Sequence, residues 1–185
     1  ASADLLLRLP GFTPMPAFRR VEDVPLVVRK ANTSREAVRQ QYGIAPDAKV
    51  VVFNFGGQSA SFCLRKDFLP DGWLCIVCTA LPVPGELPPN FLKPPQGAYT
   101  PDLICAADVI LGKVGYGTTA EAIAHGKPFV YVRRDFFNEQ PCLVKLLTAH
   151  GLAHELRRDE FYAGRWHAKL EQALAATPPT EAGLV

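Results

Sequence analysis

The sequence predicts an α/β fold, a Rossmann-like, doubly wound parallel sheet, and three observations predict it. Short runs such as "KVVVFNFG", "WLCIVCT", "DVILG" and "PFVYV" are apolar throughout rather than alternating, as expected for strands buried on both faces. Helix-like segments separate most of these runs, the pattern of parallel strands joined by crossovers. Two of the runs lead into glycine-rich turns, "FGGQSAS" (residues 55–61) and "GKVGYGTTAE" (residues 112–121).

Residues 1–23 are proline-rich ("LPGFTPMPAFRRVED") and read as an irregular arm or interdomain linker. A domain over 24–176 follows, with a tail over 177–185. "VPLVVR" (24–29) reads as a short strand. "TSREAVRQQYGI" (33–44) is a helix, capped by Thr33 or Ser34 and ended by Gly43. The β-branched strand over 49–57 runs into the first glycine turn. "SFCLRKDFLP" is a helix or ordered loop stopped by Pro70, and "WLCIVCT" is the next strand. Residues 80–99 are loop-like, with a short strand at "NFLK". "TPDLICAA" is a helix with Thr100 as cap and Pro101 in its first position. "DVILG" is a strand, "TTAEAIAHG" a helix closed by Gly126, and "PFVYV" a strand. A helix from Asn138 to Gly151, a short strand "AHEL", and a helix with Trp166, Leu170, Ala173 and Leu174 on one stripe complete the chain.

Composition narrows the function classes. The 185 residues suit one domain with a real core, at 48% hydrophobic and 21% charged. A net charge of +2 is too mild for a nucleic-acid footprint. No apolar run reaches the roughly 18 residues of a membrane span. The start has no basic segment before its apolar run, so it does not read as a signal peptide. It also lacks an initiator Met, as a processed or excised piece would. Cys75 and Cys78 fall in one strand, where alternation places them on opposite faces. That argues against a redox or zinc pair and for free thiols in a reducing, cytoplasmic setting.

Ligands of doubly wound sheets bind beyond the carboxyl ends of the strands. Glycines there let an anion reach backbone N–H groups, and a helix start adds free donors and partial positive charge. Gly56, Gly57 and Gln58 form one such turn. Gly115, Tyr116, Gly117, Thr118 and Thr119 form the other, and the threonines can cap the helix or donate to phosphate oxygens. Neither turn is a Walker A loop or a G-x-G-x-x-G fingerprint. "GYGTTA" superficially resembles the glycine loop of GHMP sugar kinases, but the short helix and the strand right after it argue against that family. Glu121 suits both hydroxyls of a ribose, or simply favours the helix macrodipole. Arg133, Arg134, Asn138, Glu139 and Gln140 offer donors and acceptors at another strand end, although Asn138 also suits a helix cap, and Glu139 and Gln140 suit water as well as a ligand. Arg29 suits phosphate or plain solvent. None of the four histidines sits in a nucleophile–base pattern.

"ADVILGKVGYGTTAEAIAHGKPFVYV … NEQ" resembles the C-terminal, donor-binding half of GT-B glycosyltransferases, the type that includes the bacterial transferase making lipid II. That resemblance implies diphosphate on the amides around Gly115, Gly117, Thr118 and Thr119, and ribose on Glu121. It also implies donor sugar near Glu139 and Gln140, a matching turn at Gly56, Gly57 and Gln58, and a junction arginine at Arg29. Phrases along nearly the whole chain, among them "RLPGFTPMPAFRRVEDVPLVVRK", "FNFGGQ", "LGKVGYGT" and "FVYVRRDFFNEQP", are similar to the glycosyltransferase-like region of plant and algal L-arabinokinases. The resemblance implies a UDP-sugar ligand, no required cofactor or metal, and a partner: an N-terminal GT-B-like domain or another protein subunit. It leaves open an inactive domain kept as a scaffold or accessory subunit. "RRDFF" departs from the transferase pattern and leaves the sugar open.

Overall fold

The computed structural model describes residues 3–56, 63–79 and 85–176. Two short strands, β1 (Leu6–Arg8) and β2 (Val21–Asp23), pair in parallel at the start. Helix α1 (Arg35–Gln41) leads to β3 (Lys49–Gly56), β4 (Trp73–Thr79) and β5 (Phe91–Leu92). Then come α2 (Thr100–Ala106), β6 (Val109–Gly112), α3 (Tyr116–Ala124), β7 (Phe129–Val132), α4 (Gln140–Ala149) and β8 (Ala153–Leu156). Helices α5 (Arg158–Tyr162) and α6 (His167–Ala175) close the described chain. The main sheet is wholly parallel, in the order β5-β4-β3-β6-β7-β8.

Strand alternation divides the core. Val51, Phe53, Cys75, Val77, Val109, Leu111 and Val130 face α5 and α6. Val50, Val52, Ile76, Ile110, Phe129 and Tyr131 face α1 to α4. Cys75 and Cys78 lie on opposite faces of β4, as alternation requires. Trp166 anchors the first layer. It is fully buried, stacks on Phe161 at 5.5 Å, and donates from Nε1 to the Phe161 carbonyl.

An ionic clamp closes the amino end of the sheet. Asp108 accepts from Arg35 and Arg39 of α1 and from the Val50 amide. Burial pushes its carboxyl up, but the Val50 N–H and the two guanidiniums outweigh that and hold it below its usual range.

Several local expectations are corrected. The arm is not irregular, since it carries β1 and β2. No strand forms over 24–29. Pro25 has no N–H to extend the ladder, and the Val24 amide ends it on the Arg8 carbonyl. Tyr99, not Thr100, caps α2, so Pro101 is its second residue. Glu139, not Asn138, caps α4. Helix α5 is too short to show an apolar stripe and was not expected. The expected tail over 177–185 lies outside the described residues.

Candidate functional site

The chain steps outward from β3 through β4 to β5, returns along α2, and resumes at β6 on the other side of β3. The strand order therefore reverses between β3 and β6, and a crevice opens at their carboxyl ends. Both glycine turns leave from there. Asn54 is in register with Gly112. A Cβ at Gly112 would lie 2.1 Å from the Asn54 carbonyl oxygen, so only glycine lets the strands approach. Gly56 turns the chain at φ +58°. Asn54 ties the two turns together, accepting from the Gly56 amide and donating to Thr118 Oγ1 at 3.3 Å.

Helix α3 starts at Gly115 with no side-chain cap. Of the two roles the threonines could take, capping is not used: Thr118 is engaged by Asn54, and the Thr119 hydroxyl is buried without a partner among the described residues. The amides of Tyr116, Gly117 and Thr118 have no intrahelical acceptor. Among the described residues, nothing lies within 4 Å of a Cβ built at Gly115 or Gly117. The space beside both glycines is therefore open among the described residues.

Glu121 lies one turn further along α3 and is 1% exposed. Its Oε1 accepts from Arg29 Nε at 2.9 Å and Nη2 at 2.6 Å. Its Oε2 is buried with no partner among the described residues. Burial raises the carboxyl above its ordinary value, opposed by the Arg29 hydrogen bonds and charge. Arg29 therefore pairs with Glu121, while 58% of its side chain stays exposed.

Two cations border the crevice: Arg134, one of the donors expected after β7, and Lys113, which the sequence did not single out. The Lys113 chain passes beside Gly56, with Nζ 3.7 Å from a Cβ built there. Burial lowers its ammonium, and the Arg134 charge lowers it further. Arg134 donates to the Val114 carbonyl and stacks 3.5 Å over the Phe137 ring. Burial lowers its guanidinium too, with Glu139 opposing. Among the described residues, neither has a carboxylate within ion-pair distance.

A cavity of about 600 Å³ lies between the ends of β3 and β4 and the start of α2. Asn54 and Gly56 line it, so it continues the crevice. Its far wall is Lys93, Pro94, Gln96 and Gly97. The prolines there read only as loop, although their place after a strand was the available signal. Gln140 is buried, and its Oε1 accepts from the Arg134 amide at 3.0 Å, bracing the β7–α4 loop. Asn138 and Glu139 are exposed on that loop. Gly57 and Gln58 lie outside the described residues. Among the described residues, no His, Cys, Asp and Glu cluster could hold a metal ion, and no helix is long and apolar enough to cross a membrane.

No protein-family model matches the chain. It is 50% identical over 181 residues to L-arabinokinase of Arabidopsis thaliana, spanning 98% of this chain but only 17% of that protein. It is 28% identical over 139 residues to UDP-N-acetylglucosamine–N-acetylmuramyl-(pentapeptide) pyrophosphoryl-undecaprenol N-acetylglucosamine transferase of Thermus thermophilus, covering 68% of this chain and 39% of that protein. Among solved structures, the calicheamicin glycosyltransferase CalG4 superposes with a TM-score of 0.63 at 21% identity, over 96% of this chain and 45% of its own. Sequence and fold together identify the chain as a GT-B glycosyltransferase-like region of the L-arabinokinase type.

Proposed function

We propose that the chain binds a nucleotide sugar, a UDP-sugar, as the donor half of a glycosyltransferase-like module. One observation carries the reading. Uncapped α3 amides, the unpartnered buried Oε2 of Glu121 one turn along the same helix, and Lys113 and Arg134, which have no carboxylate within ion-pair distance among the described residues, are gathered around the β6–α3 segment. The amides of Tyr116 to Thr118, with Lys113 and Arg134, meet the diphosphate charge, so no metal is required in this half. Glu121 Oε2 accepts from a ribose hydroxyl, while Arg29 holds the carboxylate in place. The adjoining cavity, of a size typical for small-ligand sites, takes the base. The exposed Asn138 and Glu139 and the Arg134 loop border the space left for the sugar.

Two comparisons support UDP. The Thermus relative is named for a UDP-sugar donor, and a structural neighbour, Arabidopsis UGT89C1, is solved with UDP (TM-score 0.50, 14% identity). With a second half completing the cleft, the reaction is glycosyl transfer, and stabilisation of the departing diphosphate is this half's main contribution. The free thiols suit a reducing, cytoplasmic setting. Calorimetric titration with UDP and UDP-sugars tests the reading. Micromolar binding that weakens in Glu121→Ala is expected. The absence of heat at millimolar ligand would instead favour a domain kept as a scaffold or accessory subunit.

A further inference from the structure

The small sheet formed by β1 and β2 is physically incomplete. Parallel sheets occur almost only where both faces are covered, and an isolated strand pair is marginal in water. Here the pair stands apart from the main sheet, and none of its residues is buried. It is nevertheless well specified. Arg8 makes two hydrogen bonds to Asp23 across the strands and lies 4.3 Å over the Phe12 ring. The connecting segment is seated on the domain: a Cβ at Gly11 would lie 3.1 Å from Leu143 and 3.2 Å from Leu146 of α4.

The two outer edges differ. The β2 edge is charged, with Arg19 and Arg20 before it and Glu22 and Asp23 within it, the usual protection of a true edge. The β1 edge lies in the run Leu5, Leu6, Leu7, Arg8, Leu9, whose one charge, Arg8, is turned to Asp23 of β2; Leu5 is 40% and Leu7 56% exposed. The Leu6 amide donates to the Arg20 carbonyl, and the Arg8 carbonyl accepts from Val24. Backbone direction alternates along a strand, so the N–H and C=O of Leu7 point away from β2.

We infer that β1 is an interior strand of a larger parallel sheet, whose next strand comes from a polypeptide segment outside this chain: the other half of the GT-B fold. The superposition on CalG4 takes in nearly all of this chain yet under half of that enzyme, so the matched fold holds further polypeptide of about that size. The contact is a backbone ladder along Leu7, sealed by the exposed leucines. Through Gly11 and α4 it joins the added half to the element that begins at the β7–α4 loop. The inference concerns assembly and does not depend on nucleotide binding.

Amide hydrogen exchange tests it, comparing this chain alone with a longer polypeptide carrying both halves. The Leu7 amide should exchange at least about tenfold more slowly in the longer form, the protection of one added hydrogen bond. Leu7→Pro removes the outward N–H and the exposed leucine side chain, and it fixes φ at that position. It should leave the unfolding midpoint of the chain alone unchanged and open the junction of the longer form to protease. Equal Leu7 exchange in both forms overturns the inference, and that measurement needs no variant. A chain that dimerises alone, and loses the dimer with Leu7→Pro, overturns it in favour of a second copy.

Discussion

Gly117→Ala separates the fold's demands from the ligand's. Gly117 is the second residue of α3, and no described atom lies within 4 Å of a Cβ built there. Replacing a helical glycine by alanine should stabilise the chain by roughly 0.5–1 kcal/mol. For a domain of this size that raises the Tm by roughly 1–4 °C. Binding should move the other way. A helical Cβ tilts toward the helix start, the direction from which the diphosphate approaches. The methyl keeps a phosphate oxygen from the amide at the ~2.9 Å a hydrogen bond needs. Losing one charge-assisted bond costs about 1.5–3 kcal/mol, or about 10- to 150-fold in Kd. Thermal unfolding and UDP calorimetry on one preparation read both effects. A higher Tm with an unchanged Kd would refute the placement of diphosphate over α3. Gly112→Ala is the contrasting variant. Its Cβ would strike the Asn54 carbonyl, so stability and binding should fall together.

Arg29→Ala leaves the buried Glu121 carboxylate unpaired. The folded-state value of Glu121 is already raised, so its contribution is full at low pH and is lost as pH rises through that value. The variant raises the value further. It should cost about 1–3 kcal/mol at pH 8 and clearly less at pH 5 in urea unfolding; an equal cost at both would contradict the pairing. Asp108 has the opposite sign: its lowered value stabilises the fold above the usual carboxylate range and ceases to as pH falls through the folded value. Asp108→Asn leaves Arg39 buried without its counter-ion and should cost about 3 kcal/mol at pH 7. UDP affinity should not change, because the clamp lies at the other end of the sheet. Thiol alkylation of the native chain at pH 8 should label the exposed Cys63 first. Cys78, pushed up to about 12 by burial although it borders the cavity, should label more slowly than Cys63, and Cys75, fully buried and raised by burial, should resist; fast labelling of Cys75 would contradict a buried β4.

The main sheet was legible because its strands are buried on both faces, and continuous runs such as Val50–Phe53 signal that without tertiary information. The helix ends at Gly43, Gly126 and Gly151 were legible too, since each adopts a positive φ that other residues avoid. Strands β1 and β2 were not. Three residues each, among prolines, carry no periodicity, and their pairing is set by Arg8 and Asp23 fifteen positions apart. Within the site, the glycines and Glu121 stood out because their chemistry is local. Arg134 was visible only as one donor among several, and Lys113 not at all, because what distinguishes them is that no carboxylate lies within ion-pair distance among the described residues. Arg29 was visible, but its partner lies 92 residues away.

The claim that α3 amides grip a diphosphate is tested most directly by titrating the ¹⁵N-labelled chain with UDP. The account predicts saturable shifts for the amides of Gly115 to Thr119, with Lys113 and the residues of the 93–98 wall moving along the same curve. Peaks that stay in place at millimolar UDP, or shifts confined to a different edge of the sheet, would contradict it.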